Sequence, residues 1–154
     1  MNGVSHVAVG VRDMDKALRF YRDLLGLRVL LDEVQEIGGI AAMREGAAAK
    51  PTRRVVHLVW QDGDWAPFVV LSEFRGVQSP APPKLNHVGV NHFALWVDDL
   101  RERAAKLEQA GVKFQLKPNE VPGPTYGGAK HDKVLTCIFE DPDGTLIQFD
   151  QRMS

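Results

Sequence analysis

The sequence predicts an α+β fold of two βαβββ modules forming a curved sheet or half-barrel, and three observations carry this. The run Val4-Ser5-His6-Val7-Ala8-Val9-Gly10-Val11-Arg12-Asp13-Met14 is echoed by Val90-Asn91-His92-Phe93-Ala94-Leu95-Trp96-Val97-Asp98-Asp99-Leu100. Each copy leads into a helical apolar stripe closed by a glycine, Gly26 in one half and Gly111 in the other. Each half then continues through strand patterns, the last two joined by an Asp/Gly turn at 62–64 or 141–144.

Taken in order, residues 4–11 alternate as a half-buried strand, with His6, Ala8 and Gly10 on one face and Val7, Val9 and Val11 on the other. Asp13 is placed to cap a helix over Met14 to Leu25, whose stripe is Leu18, Tyr21 and Leu25. Leu27 to Leu31 follows as a strand. Residues 38–51 are Gly/Ala-rich without periodicity and predict a loop. Val55 to Trp60 and Phe68 to Glu73 form a strand pair. Residues 75–89, with Pro80, Pro82 and Pro83, form a linker that separates a first module (1–74) from a second (90–154). In the second module a strand at 90–97 leads to a capping box, Asp99 with Glu102, and a helix with stripe Leu100, Ala104 and Leu107. Val112 to Leu116 is a strand and 118–130, rich in Pro and Gly, a long loop; Val134 to Phe139 and Thr145 to Asp150 are the last strands.

Composition narrows the function classes. The chain has 154 residues, 44% hydrophobic and 25% charged, with a formal charge of −1, an ordinary globular profile. A chain of this size buries roughly 70% of its unfolded surface, so its core needs no disulfide or metal staple. The charge balance and the absence of a Lys/Arg run argue against nucleic acid as partner. No apolar stretch approaches the roughly 20 residues that span a bilayer, and no signal peptide is evident, so a cytoplasmic protein without membrane contact is expected. Cys137 lies in the apolar run Leu135-Thr136-Cys137-Ile138-Phe139 and reads as a buried small hydrophobe.

Each sheet commits one face to its helix, so the opposite faces of two curved sheets line a trough, the kind of cleft that ligand sites favour. His6 and His92 open matching strands facing it.

Val4-Ser5-His6-Val7-Ala8-Val9 with Arg12-Asp13-Met14, Phe20-Tyr21-Arg22-Asp23-Leu24-Leu25-Gly26-Leu27, and Asp141-Pro142-Asp143-Gly144-Thr145-Leu146-Ile147-Gln148-Phe149 together resemble the vicinal oxygen chelate superfamily, the glyoxalase/bleomycin-resistance/dioxygenase group. The resemblance spans nearly the whole chain and is specific for the fold more than for the reaction. It implies paired βαβββ modules, a homodimer, a small-molecule substrate or ligand, and a divalent metal such as zinc, iron, nickel or manganese in the metal-using members. Those members include lyases, epimerases and ring-cleaving dioxygenases; others are metal-free drug-binding proteins.

The resemblance also implies a ligand set, one residue from the first and one from the last strand of each module. The first-strand ligands match His6 and His92. The last-strand positions fall on Val70 and Gln148, where the family has acids. Glu73 matches a second acid of the family pattern, three residues after Val70, and would face the trough only if a bulge shifted the parity. Val70 coordinates nothing. Gln148 offers a neutral carbonyl oxygen but cannot carry a proton, which removes the group that moves protons in family isomerases. His57 would complete a neutral-ligand site with His6, His92 and Gln148 if the strands 55–60 and 68–73 pair so that it faces Val70. The plainer alternatives are two histidines hydrogen-bonded in a pocket without metal, and a structural His57. Val70, Trp96 and Tyr126 are the candidate substrate-pocket residues. Two functions stay open: a metal enzyme using the ion as a Lewis acid on a small oxygen-bearing molecule, and a metal-free binding protein.

Overall fold

The computed structural model describes residues 3–36, 52–75, 81–82 and 84–153. The predicted loop 38–51 lies outside the described residues, as does part of the predicted linker. The chain divides into two compact units, Met1–Ala81 and Pro82–Ser154, and the division falls inside the 75–89 segment.

In the first unit the order is β1 (His6–Val11), α1 (Met14–Leu18) continued by a π-helical turn (Arg19–Leu24), β2 (Arg28–Glu36), β3 (Thr52–Val59) and β4 (Phe68–Arg75). Its sheet runs β1-β4-β3-β2, with β1 parallel to β4 and the other neighbours antiparallel. The second unit repeats this with β5 (His92–Trp96), α2 (Leu100–Gln109), β6 (Phe114–Pro122), a 3₁₀ turn (Gly123–Tyr126), β7 (Lys133–Glu140) and β8 (Leu146–Met153). The order is β5-β8-β7-β6, with β5 parallel to β8. These are two four-stranded mixed sheets, as the repeat predicts.

Alternation assigns the two faces of each sheet. In the first unit Val9, Val11, Val56, Leu58, Val69 and Leu71 are buried, and all but Val11 pair with one another across the strands. Arg54 shares their parity and bonds to Asp15 of α1 at 2.8 Å, so this face carries the helix, whose Met14, Ala17 and Leu18 are buried. In the second unit Leu135, Cys137, Phe139, Ile147 and Phe149 form the corresponding core beneath Leu100, Ala104 and Leu107 of α2. The opposite, open faces hold His6, Ala8, Phe68, Val70 and His57 in one unit, and His92, Trp96, Gln148, Asp150 and Arg152 in the other.

Local chemistry explains most boundaries. Asp13 caps α1 by accepting from the Lys16 N–H at 3.0 Å, and Gly26, at φ 82°, ends the helical segment. The Asp141 carboxylate accepts from the N–H groups of Asp143 and Thr145 at 2.9 and 2.7 Å, so the Asp-Pro-Asp-Gly motif here builds the β7–β8 turn.

Three expectations are corrected. The capping box at Asp99 does not form; Asp99 bonds to the Arg103 guanidinium instead. The Gln151 side chain, reaching from β8, accepts from the Leu100 N–H at 2.9 Å in its place. The predicted loop 118–130 begins too early, because β6 runs to Pro122. As an edge strand it tolerates proline, and Pro118 falls in a register shift between Leu116 and Asn119 where no ladder bond is needed. Likewise β2 extends to Glu36, beyond the predicted Leu31.

Candidate functional site

The open face of the first unit is built around Phe68. His6 pairs with Phe68 in register, and Val70 lies between Ala8 and His57. The pairing that would turn His57 to the open face is therefore present. Phe68, however, stacks on both imidazoles, with ring centroids 5.1 Å from His6 and 4.9 Å from His57. Because β4 lies between β1 and β3, the three rings form a His6–Phe68–His57 stack. Two nitrogens binding one ion must come within about 4 Å of each other, and a phenyl ring between the imidazoles prevents that. In this arrangement the His6 and His57 imidazoles each stack on Phe68 rather than meeting one another. Burial and the nearby Arg53 hold the His57 imidazole below its ordinary pKa, which favours its neutral form.

Glu73 pairs with Val11 and Arg54, and both ladders of β4 run without a register shift. The bulge that would bring it to the open face is absent; it sits on the helix face beside Arg75 at 3.4 Å.

The two first-strand histidines share one arrangement. The Ser5 hydroxyl lies 3.1 Å from Nδ1 of His6, and the Asn91 amide oxygen lies 2.6 Å from Nδ1 of His92. The Asn91 amide is itself oriented, its Nδ2 donating to the Leu85 carbonyl at 3.1 Å. The amide oxygen therefore faces the ring and requires the proton on Nδ1 of His92. Both rings are exposed on their strands, and the Nε2 lone pair of His92 is left for a ligand. This is how imidazole is held for a metal or a hydrogen-bonded substrate.

On the open face of the second unit Gln148 pairs with Ala94, one step along from His92. Its Nε2 donates to Asp150 Oδ1 and Oδ2 at 2.9 and 3.1 Å, and lies 2.9 Å from the Tyr126 hydroxyl. Tyr126 donates to Asp150 Oδ1 at 3.0 Å, with Thr136 Oγ1 at 3.4 Å. Gln148 and Asp150 are 9% and 3% exposed. These bonds consume the amide hydrogens and leave the Gln148 carbonyl oxygen as its free donor atom. Burial raises the pKa of the Tyr126 phenol, so it stays protonated and keeps donating.

Trp96 and Tyr126 meet at 5.9 Å between ring centroids and line a cavity of about 400 Å³ with Gly123, Gly127, Gly128, Lys133 and Arg152. Val70, the third predicted pocket residue, lies in the first unit. Asp150, Thr136 and Arg152 escaped sequence reasoning. The alternation that places Gln148 on the open face also places Asp150 and Arg152 there, so their signal was present in strand parity. Thr136 becomes visible only through the β7–β8 register.

Among the described residues no group of three His, Cys, Asp or Glu side chains could hold a metal ion. His6 in the first unit, and His92 and Gln148 in the second, carry neutral donor atoms of the kind a divalent ion takes.

The chain is 27% identical over 152 residues to a lactoylglutathione lyase of Haemophilus influenzae, covering 98% of this chain and 93% of that one. It is 26% identical over 149 residues to a probable lactoylglutathione lyase of Synechocystis, covering 97% and 95%. A glyoxalase-family protein from Bacillus cereus superposes with a TM-score of 0.71 at 18% identity, over 100% of this chain and 96% of the other. Glyoxalase I of Leishmania major gives 0.61 at 20% identity, over 97% and 86%. The superfamily's sequence model matches residues 3–149, and the chain belongs to the Glyoxalase/Bleomycin resistance protein/Dioxygenase superfamily.

Proposed function

We propose that the protein is a metal-dependent enzyme acting on a small oxygen-bearing molecule, with a divalent ion held by His6, His92 and the carbonyl oxygen of Gln148. The observation that carries this reading is the matched anchoring of the two histidines at Nδ1. The repetition of this contact in both units has a simple explanation if both rings serve one purpose. An ion held by neutral ligands keeps its full charge and supplies Lewis-acid polarisation of bound oxygens.

The chain's own residues define the rest. Gln148 cannot exchange a proton; with Tyr126 and the buried Asp150 carboxylate it forms a polar cluster that orients its carbonyl oxygen. The relatives named lactoylglutathione lyase make a lyase or isomerase reaction the first class to assay.

A metal-free binding role is the second reading. It is favoured by the first unit, where Val70 and Phe68 occupy the open face between the histidines and supply apolar contact.

Metal content separates the two. Protein purified without chelator is expected to carry stoichiometric divalent metal, and the His6→Ala/His92→Ala variant to carry little. Equal metal in both would overturn the enzyme reading, and a ligand that stabilises the fold in excess chelator would favour the binder.

A further inference from the structure

The cavity beside Trp96 has a composition that the proposed metal ligands do not explain. The Arg152 guanidinium lies over the Trp96 ring, 4.7 Å from its centroid, and among the described residues it has no carboxylate partner. Lys133, the other cation of the wall, is paired with Glu120 at 3.2 Å. A guanidinium stacked on an indole keeps its N–H fork free in the plane of the stack. Trp96 is itself 50% exposed, an indole left open at a cavity edge.

The opposite wall is fixed. Gly123 donates to the Asp132 carbonyl at 2.8 Å, Gly127 to Pro124 at 3.1 Å, and Gly128 to Gly123 at 2.9 Å. The Asp132 carboxylate accepts from the Ala129 N–H at 2.6 Å. Those glycine N–H groups are spent inside the turn, so the turn is no anion nest; with the acid Asp132 also lining the cavity and Lys133 paired to Glu120, anion recognition is left to Arg152. The glycines serve close approach: a Cβ on Gly123 would stand 2.5 Å from that of Asp132.

We propose that this cavity binds a small carboxylate carrying a flat apolar body, the carboxylate gripped in plane by the Arg152 fork and the body lying against Trp96 and Tyr126. Bidentate pairing suits the guanidinium, and an aromatic corner suits a planar group. About 400 Å³ accommodates a one- or two-ring molecule. None of His6, His92 or Gln148 lines the cavity; Tyr126, which does, bonds to Gln148 at 2.9 Å, so the cavity adjoins the proposed metal site and the test must separate the two.

The test uses the full chain in excess chelator, so that its outcome is separate from that of the metal reading. The probe is 2-naphthoate, compared with its neutral carboxamide, and the readout is the indole N–H resonance of Trp96. Saturable shifts are expected with the carboxylate, and about ten-fold or greater weakening with the carboxamide and with Arg152→Gln. Arg152→Lys is expected to restore little, because a point charge lacks the fork. Equal affinity for the two probes, an unaltered affinity in Arg152→Gln, or no saturable shift with the carboxylate would each overturn the proposal.

Discussion

Gln148 donates its side-chain amide to both carboxylate oxygens of Asp150, at 2.9 and 3.1 Å, and both side chains are buried. The glutamine is thus matched to its neighbour. A glutamate at 148 would remove both donors and set a second carboxylate against a buried one. Gln148→Glu is therefore expected to cost about 2 kcal/mol at pH 8 in urea unfolding. The paired acid would have a raised pKa, so the native state would hold an extra proton and the loss would shrink as pH falls toward about 5. Gln148→Glu/Asp150→Asn is expected to regain most of it. A single variant as stable as the parent at pH 8 would contradict the account of this pair.

The glycine turn beside the cavity gives a steric prediction. Gly123→Ala places a methyl group 2.5 Å from Asp132 Cβ and 2.8 Å from its carbonyl oxygen, and relief must displace the turn. A loss of about 1–3 kcal/mol is expected. Gly10→Ala on β1 meets nothing within 4 Å and should change stability by no more than about 0.5 kcal/mol. Thermal unfolding of the two variants side by side checks the contrast.

Helix α2 takes its cap from a distant strand. Gln151→Ala leaves the Leu100 N–H without its acceptor and is expected to cost about 1 kcal/mol. Asp99→Ala loses the bond to Arg103 and is expected to cost about 0.5 kcal/mol. Urea unfolding that ranks them in the reverse order would restore Asp99 as the cap.

Cys137 is fully buried, and burial pushes its thiol up to about 11. Both effects suppress the thiolate. Native protein at pH 8 is expected to resist a disulfide exchange reagent over hours, and denatured protein to react at once with one equivalent. Rapid native labelling would contradict the burial.

The fold was legible because it is written twice. Strand alternation at His6–Val11 and His92–Trp96, the glycine stops and the turn motifs are local signals, and each has a local physical cause. Strand parity placed His6, His92 and Trp96 on their faces and set His57 across from Val70, while Gln148 was singled out by the family resemblance. What parity does not give is side-chain volume between neighbours, and so the insertion of Phe68 between His6 and His57 was hidden. The capping of α2 by Gln151 was hidden for a related reason: it joins residues 51 positions apart, while a capping motif is read within four. Pro and Gly in 118–124 misled because an edge strand with a shifted register tolerates them.

The central claim is that His6 and His92 present prepared nitrogens to one kind of ligand, a metal ion. Long-range ¹H–¹⁵N correlation spectra of the imidazoles during a zinc titration of metal-stripped protein test it most directly. The account predicts that the Nε2 resonances of His6 and His92 shift together and stop at a stoichiometric endpoint, while His57 keeps its neutral, unligated signature. Unchanged His6 and His92 resonances at saturating zinc would contradict it.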